Sequence, residues 1–114
     1  MCEGYDIPMV KLEIGTSTIV ILQRTAELMQ IAAKDALMFS FNKSKGIMYM
    51  YKEEPEIDCY FTFLSNNQLK ISGRDLTQYI VDAFNLKYKR VAYFDVKPEP
   101  DDQGRYELTL FRAV

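Results

Sequence analysis

A mixed β/α fold, predominantly β and built from two related halves, is the class predicted by three features of this 114-residue chain. Short runs rich in β-branched and aromatic residues recur between turn-forming residues, as half-buried strands require. Two stretches, 24–33 and 72–84, instead place apolar residues at helical spacing. The order strand, short helix, turn, hairpin then occurs twice, in residues 16–51 and again in 68–111. Hydrophobic residues make up 48% of the chain, against only 4 prolines and 5 glycines. That composition suits one ordinary domain, 1–114, with a continuous core and no need of metal or disulfide staples.

Residues 1–10 show no sustained periodicity and read as a lead-in. Thr16 to Leu22 is β-branched and reads as a strand, since χ1 crowding favours extended backbone. From Arg24 to Ala33, Leu28, Ile31 and Ala32 recur at helical spacing beside Met29. Leu37 to Phe41 and Ile47 to Tyr51 flank a polar turn ending in Gly46 and predict a hairpin. Lys52 to Asp58 carries Glu53, Glu54, Glu56 and Asp58 around Pro55, a composition suited to a solvated connector. Cys59 to Leu64 and Gln68 to Ile71, separated by Ser65-Asn66-Asn67, form a second hairpin.

Ser72 offers a hydroxyl as helix N-cap and Asp75 can reach back to it, predicting a helix with Leu76, Ile80, Ala83 and Phe84 on its buried stripe. Asn85 is a suitable left-handed terminator. Val91 to Val96 and Tyr106 to Phe111 form the last hairpin, around the Pro98–Gly104 loop.

The halves align as Ile21, Arg24 and the helix to Ile31 against Ile71, Arg74 and the helix to Leu86. Lys34, Leu37, Phe39 and Phe41 then match Lys89, Ala92, Phe94 and Val96, and Gly46 to Met50 matches Gly104 to Leu108. Repeated half-domains solve a physical problem, because each covers the apolar surface of the other.

Charge and side-chain chemistry narrow the function. The net charge of -2 provides no general attraction to polyanions, although residues 61–114 carry eight Lys/Arg against seven Asp/Glu, compared with six and nine in residues 1–60. With no histidine in the chain, Ser-His-Asp and Cys-His mechanisms are excluded, and the two cysteines lack ligand spacing. The expectation is a non-enzymatic protein with no cofactor and no bound metal. Cys2 and Cys59 read as reduced thiols of a cytoplasmic protein. Cys2, Glu3 and Asp6 stand where a signal peptide would be basic, and no apolar run is long enough to span a bilayer. Alternating aromatics, including Tyr49, Tyr51, Tyr60, Phe61, Phe63, Tyr93, Phe94 and Tyr106, read as sheet core and cross-strand packing.

The segment Ile21-Leu-Gln-Arg-Thr-Ala-Glu-Leu-Met-Gln-Ile-Ala-Ala-Lys-Asp-Ala-Leu-Met-Phe-Ser-Phe41 resembles the AbrB/SpoVT/MazE/MraZ group of swapped-hairpin proteins. Ile71-Ser72-Gly73-Arg74, followed by Leu86-Lys87-Tyr88-Lys89-Arg90, repeats the pattern more weakly. Leu22 and Ser72 replace the proline common before the family helix. The Gly-Asp turn is reduced to Lys34-Asp35 and Lys89-Arg90. The resemblance implies a two-repeat swapped-hairpin-like barrel with short helices, a homodimer, and DNA contact. Basic residues near the first strand and helix entry make that contact in the family; their counterparts here are Lys11 and Arg24, then Lys70 and Arg74. Lys87, Lys89 and Arg90 form a supporting basic cluster. The functional expectation is therefore a small regulator binding DNA. A protein-interaction or structural module, including an antitoxin-like partner-binding role, is the alternative.

Overall fold

A computed structural model of the chain describes residues 8–53 and 59–114. The expectations for Cys2, Glu3 and Asp6, and for Glu54, Pro55, Glu56 and Asp58, lie outside the described residues. The elements run β1 (Met9–Glu13), a 3-10 turn (Ile14–Thr16), β2 (Thr18–Ile21), α1 (Gln23–Met29), β3 (Ala36–Asn42) and β4 (Ile47–Glu53). After these come β5 (Tyr60–Phe61), β6 (Phe63–Ser65), β7 (Gln68–Ser72), α2 (Arg74–Phe84), β8 (Val91–Val96) and β9 (Tyr106–Ala113).

All pairings are antiparallel, in the order β5-β3-β4-β9-β8-β1-β2-β7-β6. The two outermost strands of that order, β5 and β6, are successive pieces of one segment interrupted at Thr62. The sheet therefore curls round on itself into a near-closed antiparallel barrel. Thr62 makes the junction. Its N–H donates to Asp35 O at 3.0 Å, its carbonyl accepts from Lys34 N–H at 2.8 Å, and its hydroxyl bonds Ala32 O at 2.9 Å and Asp35 O at 3.2 Å.

Half of the ladders join distant parts of the chain: β1 pairs with β8, β2 with β7, β3 with β5 and β4 with β9. The left-handed backbone positions fall in matched places. Gln30 (φ 55) and Asn85 (φ 57) terminate the two helices, Lys34 (φ 77) and Tyr88 (φ 74) sit in the following turns, and Gly46 (φ 67) and Gly104 (φ 79) lie in the late hairpins. Ser17 (φ 52) turns the first hairpin, and Asn66 and Asn67 (φ 54 and 63) turn its counterpart. The paired left-handed asparagines form the tight turn whose twist suits two adjacent strands.

Val10, Leu12, Ile19, Ile21, Leu37, Phe39, Met48, Met50, Ile71, Ala92, Phe94, Val96 and Leu108 fill the barrel, joined by Met29, Leu76 and Ile80 from the helices. Alternation along each strand directs these side chains inward. Phe84 of α2 stacks obliquely on Phe94, with ring centroids 5.0 Å apart, and meets Phe41 edge-on at 5.2 Å. A cavity of about 10 Å³ lies between α2 and the sheet, so the core is closely packed there.

Several expectations need correction. Met9–Glu13 is a strand, where the missing periodicity of residues 1–10 suggests a lead-in. Its Met-Val-Lys-Leu-Glu sequence is short, and the alternation begins only at Val10, after a buried Met9. The first helix ends at Met29, so Ile31 reaches the core from beyond its left-handed cap. Ser72 does not cap α2. It is the last residue of β7, opposite Thr18, and Gly73 occupies the cap position without a side-chain bond. Asp75 still lies in the first turn, where a carboxylate favours the helix dipole. Phe61 and Phe63, read as packing residues, are exposed.

Candidate functional site

The sequence-predicted cations divide into three places. Lys11 and Lys70 occupy the outer wall. Since Val10, Leu12 and Ile71 point into the core, alternation turns these lysines outward. Register places Tyr93, Lys11, Val20, Lys70 and Phe63 in one row across β8, β1, β2, β7 and β6. The two lysine backbones are thus two strand spacings, roughly 10 Å, apart. Lys11 is held by Glu13 at 3.2 Å.

Arg24 and Arg74 are not brought together. They begin the helices that follow β2 and β7, and those antiparallel strands pair Thr18 with Ser72 at one end and Ile21 with Leu69 at the other. The arginines consequently mark opposite ends of the barrel. Arg24 faces Glu27 of its own helix at 3.9 Å, an exposed pair of small energetic value.

Arg74 instead shares its end with Lys87, Lys89 and Arg90. The turn after β1 gathers them: Gly73 N–H donates to Ser17 O at 3.0 Å, while Ile14 N–H donates to Arg90 O at 2.9 Å. One short turn therefore tethers both the start of α2 and the segment after it. Arg90 N–H is further fixed to Val114 O at 2.7 Å. The side chains of Arg74, Lys87, Lys89 and Arg90 form no ion pair among the described residues. Two of the four, Lys87 and Lys89, line an open groove of about 520 Å³ together with Ile14, Gln78, Val81, Asp82, Asn85, Leu86 and Tyr88. Its one carboxylate, Asp82, accepts a bond from Gln78 Nε2 at 2.8 Å.

Tyr88 is the site residue that sequence reasoning passed over. Its ring is 90% exposed, and Lys87 Nζ stands 5.4 Å from the ring centroid. The sequence signal is an aromatic enclosed by three cations in Lys87-Tyr88-Lys89-Arg90, of which the basic cluster takes only Lys87, Lys89 and Arg90.

Other arginines are engaged elsewhere. Arg105 lies 4.2 Å over the Tyr49 ring and bonds Asp101 at 2.9 Å. The Arg105 backbone N–H, followed by that of Gln103 and the Arg105 guanidinium, holds the Asp101 carboxyl below the usual carboxylate range despite an opposing desolvation effect. A second concavity, about 360 Å³, is lined partly by Asp95, Lys97 and Glu107. Two carboxylates against one lysine give it the wrong sign for a polyanion. Among the described residues there is no cluster of metal-ligating side chains, and no helix is long and apolar enough to cross a membrane. Compared with family models, curated proteins and solved structures, the chain matches none.

Proposed function

We propose that this chain is a small non-enzymatic binding module that holds a nucleic-acid backbone against the barrel end carrying Arg74, Lys87, Lys89 and Arg90. The carrying observation is the convergence of these four cations on one turn without ion-pair partners among the described residues. Flexible cationic ends so arranged attract phosphates and release their counterions. The reading agrees with the DNA contact implied by the resemblance to swapped-hairpin regulators. It moves that contact to one barrel end and does not divide it between Arg24 and Arg74. The matched left-handed positions and reciprocal ladders support a two-repeat swapped-hairpin arrangement produced by duplication.

Fluorescence anisotropy on duplex DNA across several salt concentrations tests the site. Neutralising Arg74 or Arg90 should weaken binding similarly for unrelated sequences. Each lost phosphate contact should reduce the slope of log affinity against log salt by about 0.9. Arg24→Ala, at the far end, should leave both quantities unchanged. Absence of saturable binding of both duplex and single-stranded nucleic acid by the unmodified protein at low salt would overturn the proposal. Equal losses from Arg24→Ala and Arg74→Ala would also overturn it.

A second reading, self-association, has its own observation. β9 pairs with β4 only through Tyr106, Glu107 and Leu108, and the strand continues with Leu110 and Phe111 exposed. A strand continuing past its neighbour presents backbone groups on which another strand can pair. Sedimentation over a broad concentration range should show a dimer that Phe111→Lys dissociates. A monomer throughout that range removes this reading and leaves the cationic end untouched.

A further inference from the structure

Resting on the nucleic-acid reading above, we infer that Tyr88 is a stacking platform for an unpaired base, so that the cationic end takes single-stranded nucleic acid in preference to duplex. Three observations converge on this residue. The ring is almost wholly in solvent, so the fold does not need it for packing. Lys87 Nζ lies over the ring, within the range at which a cation is attracted to an aromatic face. The opposite face remains available. The backbone at Tyr88 has φ 74, a left-handed conformation that non-glycine residues adopt only at a cost.

The left-handed turn itself belongs to the architecture, because Lys34, which the sequence aligns with Lys89, occupies with φ 77 the place that Tyr88 takes in the corresponding turn. Lys89 N–H to Leu86 O at 3.0 Å and Asp35 N–H to Ala32 O at 3.1 Å close the two turns in the same way. Glycine or asparagine would occupy the position with less strain. A tyrosine there projects an aromatic face beyond the barrel at a local conformational cost.

The surroundings specify the ligand. Lys87, Lys89 and Arg90 supply positive charge on both sides of the aromatic in sequence, and the adjacent groove of about 520 Å³ has amide groups from Gln78 and Asn85 on its wall. A base can stack on the ring while neighbouring phosphates meet the cations. This combination of aromatic face and cationic track is sequence-tolerant because every base has a stacking surface. In a duplex the base faces are already covered by their neighbours, so Tyr88 contributes only to a strand whose bases are free.

The decisive experiment measures anisotropy of labelled oligothymidylate and of a mixed-sequence duplex, using the unmodified protein, Tyr88→Phe, Tyr88→Gly and Arg74→Ala. Thermal melts are measured on the same samples. Single-strand affinity should exceed duplex affinity. Tyr88→Phe should preserve the single-strand affinity, whereas Tyr88→Gly should reduce it by about fivefold to about 150-fold, the equivalent of losing one base–aromatic stack. Its duplex affinity and melting temperature should not fall. Arg74→Ala should weaken both ligands. If Tyr88→Gly binds the single strand like the unmodified protein while Arg74→Ala is impaired, the stacking role is overturned and the backbone contact survives. Equal loss of duplex and single-strand binding in Tyr88→Gly also overturns it, as does a matching loss in Tyr88→Phe. No binding of either nucleic acid by the unmodified protein overturns both readings.

Discussion

Truncating Phe94 to alanine should destabilise the protein by about 3–5 kcal/mol, the range for removing a large aromatic from a packed core. Phe94 is 2% exposed and lies opposite Val10 in the ladder joining β8 to β1. Its ring also supports Phe84, tying α2 to the barrel wall. With only about 10 Å³ open between α2 and the sheet, alanine would leave a new void whose lining loses dispersion contacts. Urea unfolding should show the midpoint falling with little change in slope. Leu64→Ala provides the comparison: its side chain is 61% exposed, so its effect should remain within about 0.5 kcal/mol. Similar effects from the two variants would remove Phe94 from its position as the central packing residue of β8.

Thr62→Pro should have the next largest effect, a loss of roughly 3 kcal/mol or more from breaking the ladder and removing the hydroxyl together. Thr62 is nearly fully buried and bonds Ala32, Lys34 and Asp35 through its backbone and side chain. Proline lacks the N–H that bonds Asp35 and supplies no hydroxyl. Thr62→Val separates the two contributions, retaining backbone and shape but losing the hydroxyl at about 1–2 kcal/mol. Chemical unfolding gives the energies. Hydrogen exchange should locate the damage, with protection reduced first in β3 and β7. A proline variant as stable as the parent would mean that this junction does not hold the barrel closed.

The hairpin around Gly46, the Arg74–Phe84 helix and the Asn85 terminator were legible because local chemistry and tertiary placement agree there. Gly46 takes positive φ, and Leu76 and Ile80 are buried on one helix stripe. β1 was hidden because its alternation, Val10 and Leu12 inward against Lys11 and Glu13, spans only four residues and is preceded by a buried Met9. Ser72 had the right chemistry for a cap, but pairing with Thr18 placed it in the sheet. Basic residues were visible in the site, yet their grouping was not. Arg24 and Arg74 occupy analogous sequence positions, and antiparallel pairing of β2 and β7 sends them to opposite ends. Tyr88 stands outside the alternating strand aromatics, and only its cationic neighbours distinguish it in the sequence.

The reciprocal ladders also impose an order on synthesis. β1 emerges early and can meet β2 at once, but its other neighbour, β8, lies near the end of the chain. β3 likewise meets β4 promptly and waits for the segment carrying β5. Early hairpins must therefore persist with unfinished edges while the later strands are made. Distant pairing of this kind slows folding through the entropy of bringing remote segments together. The newborn chain is most vulnerable to association before β8 arrives, because its exposed edges can recruit strands from another nascent molecule.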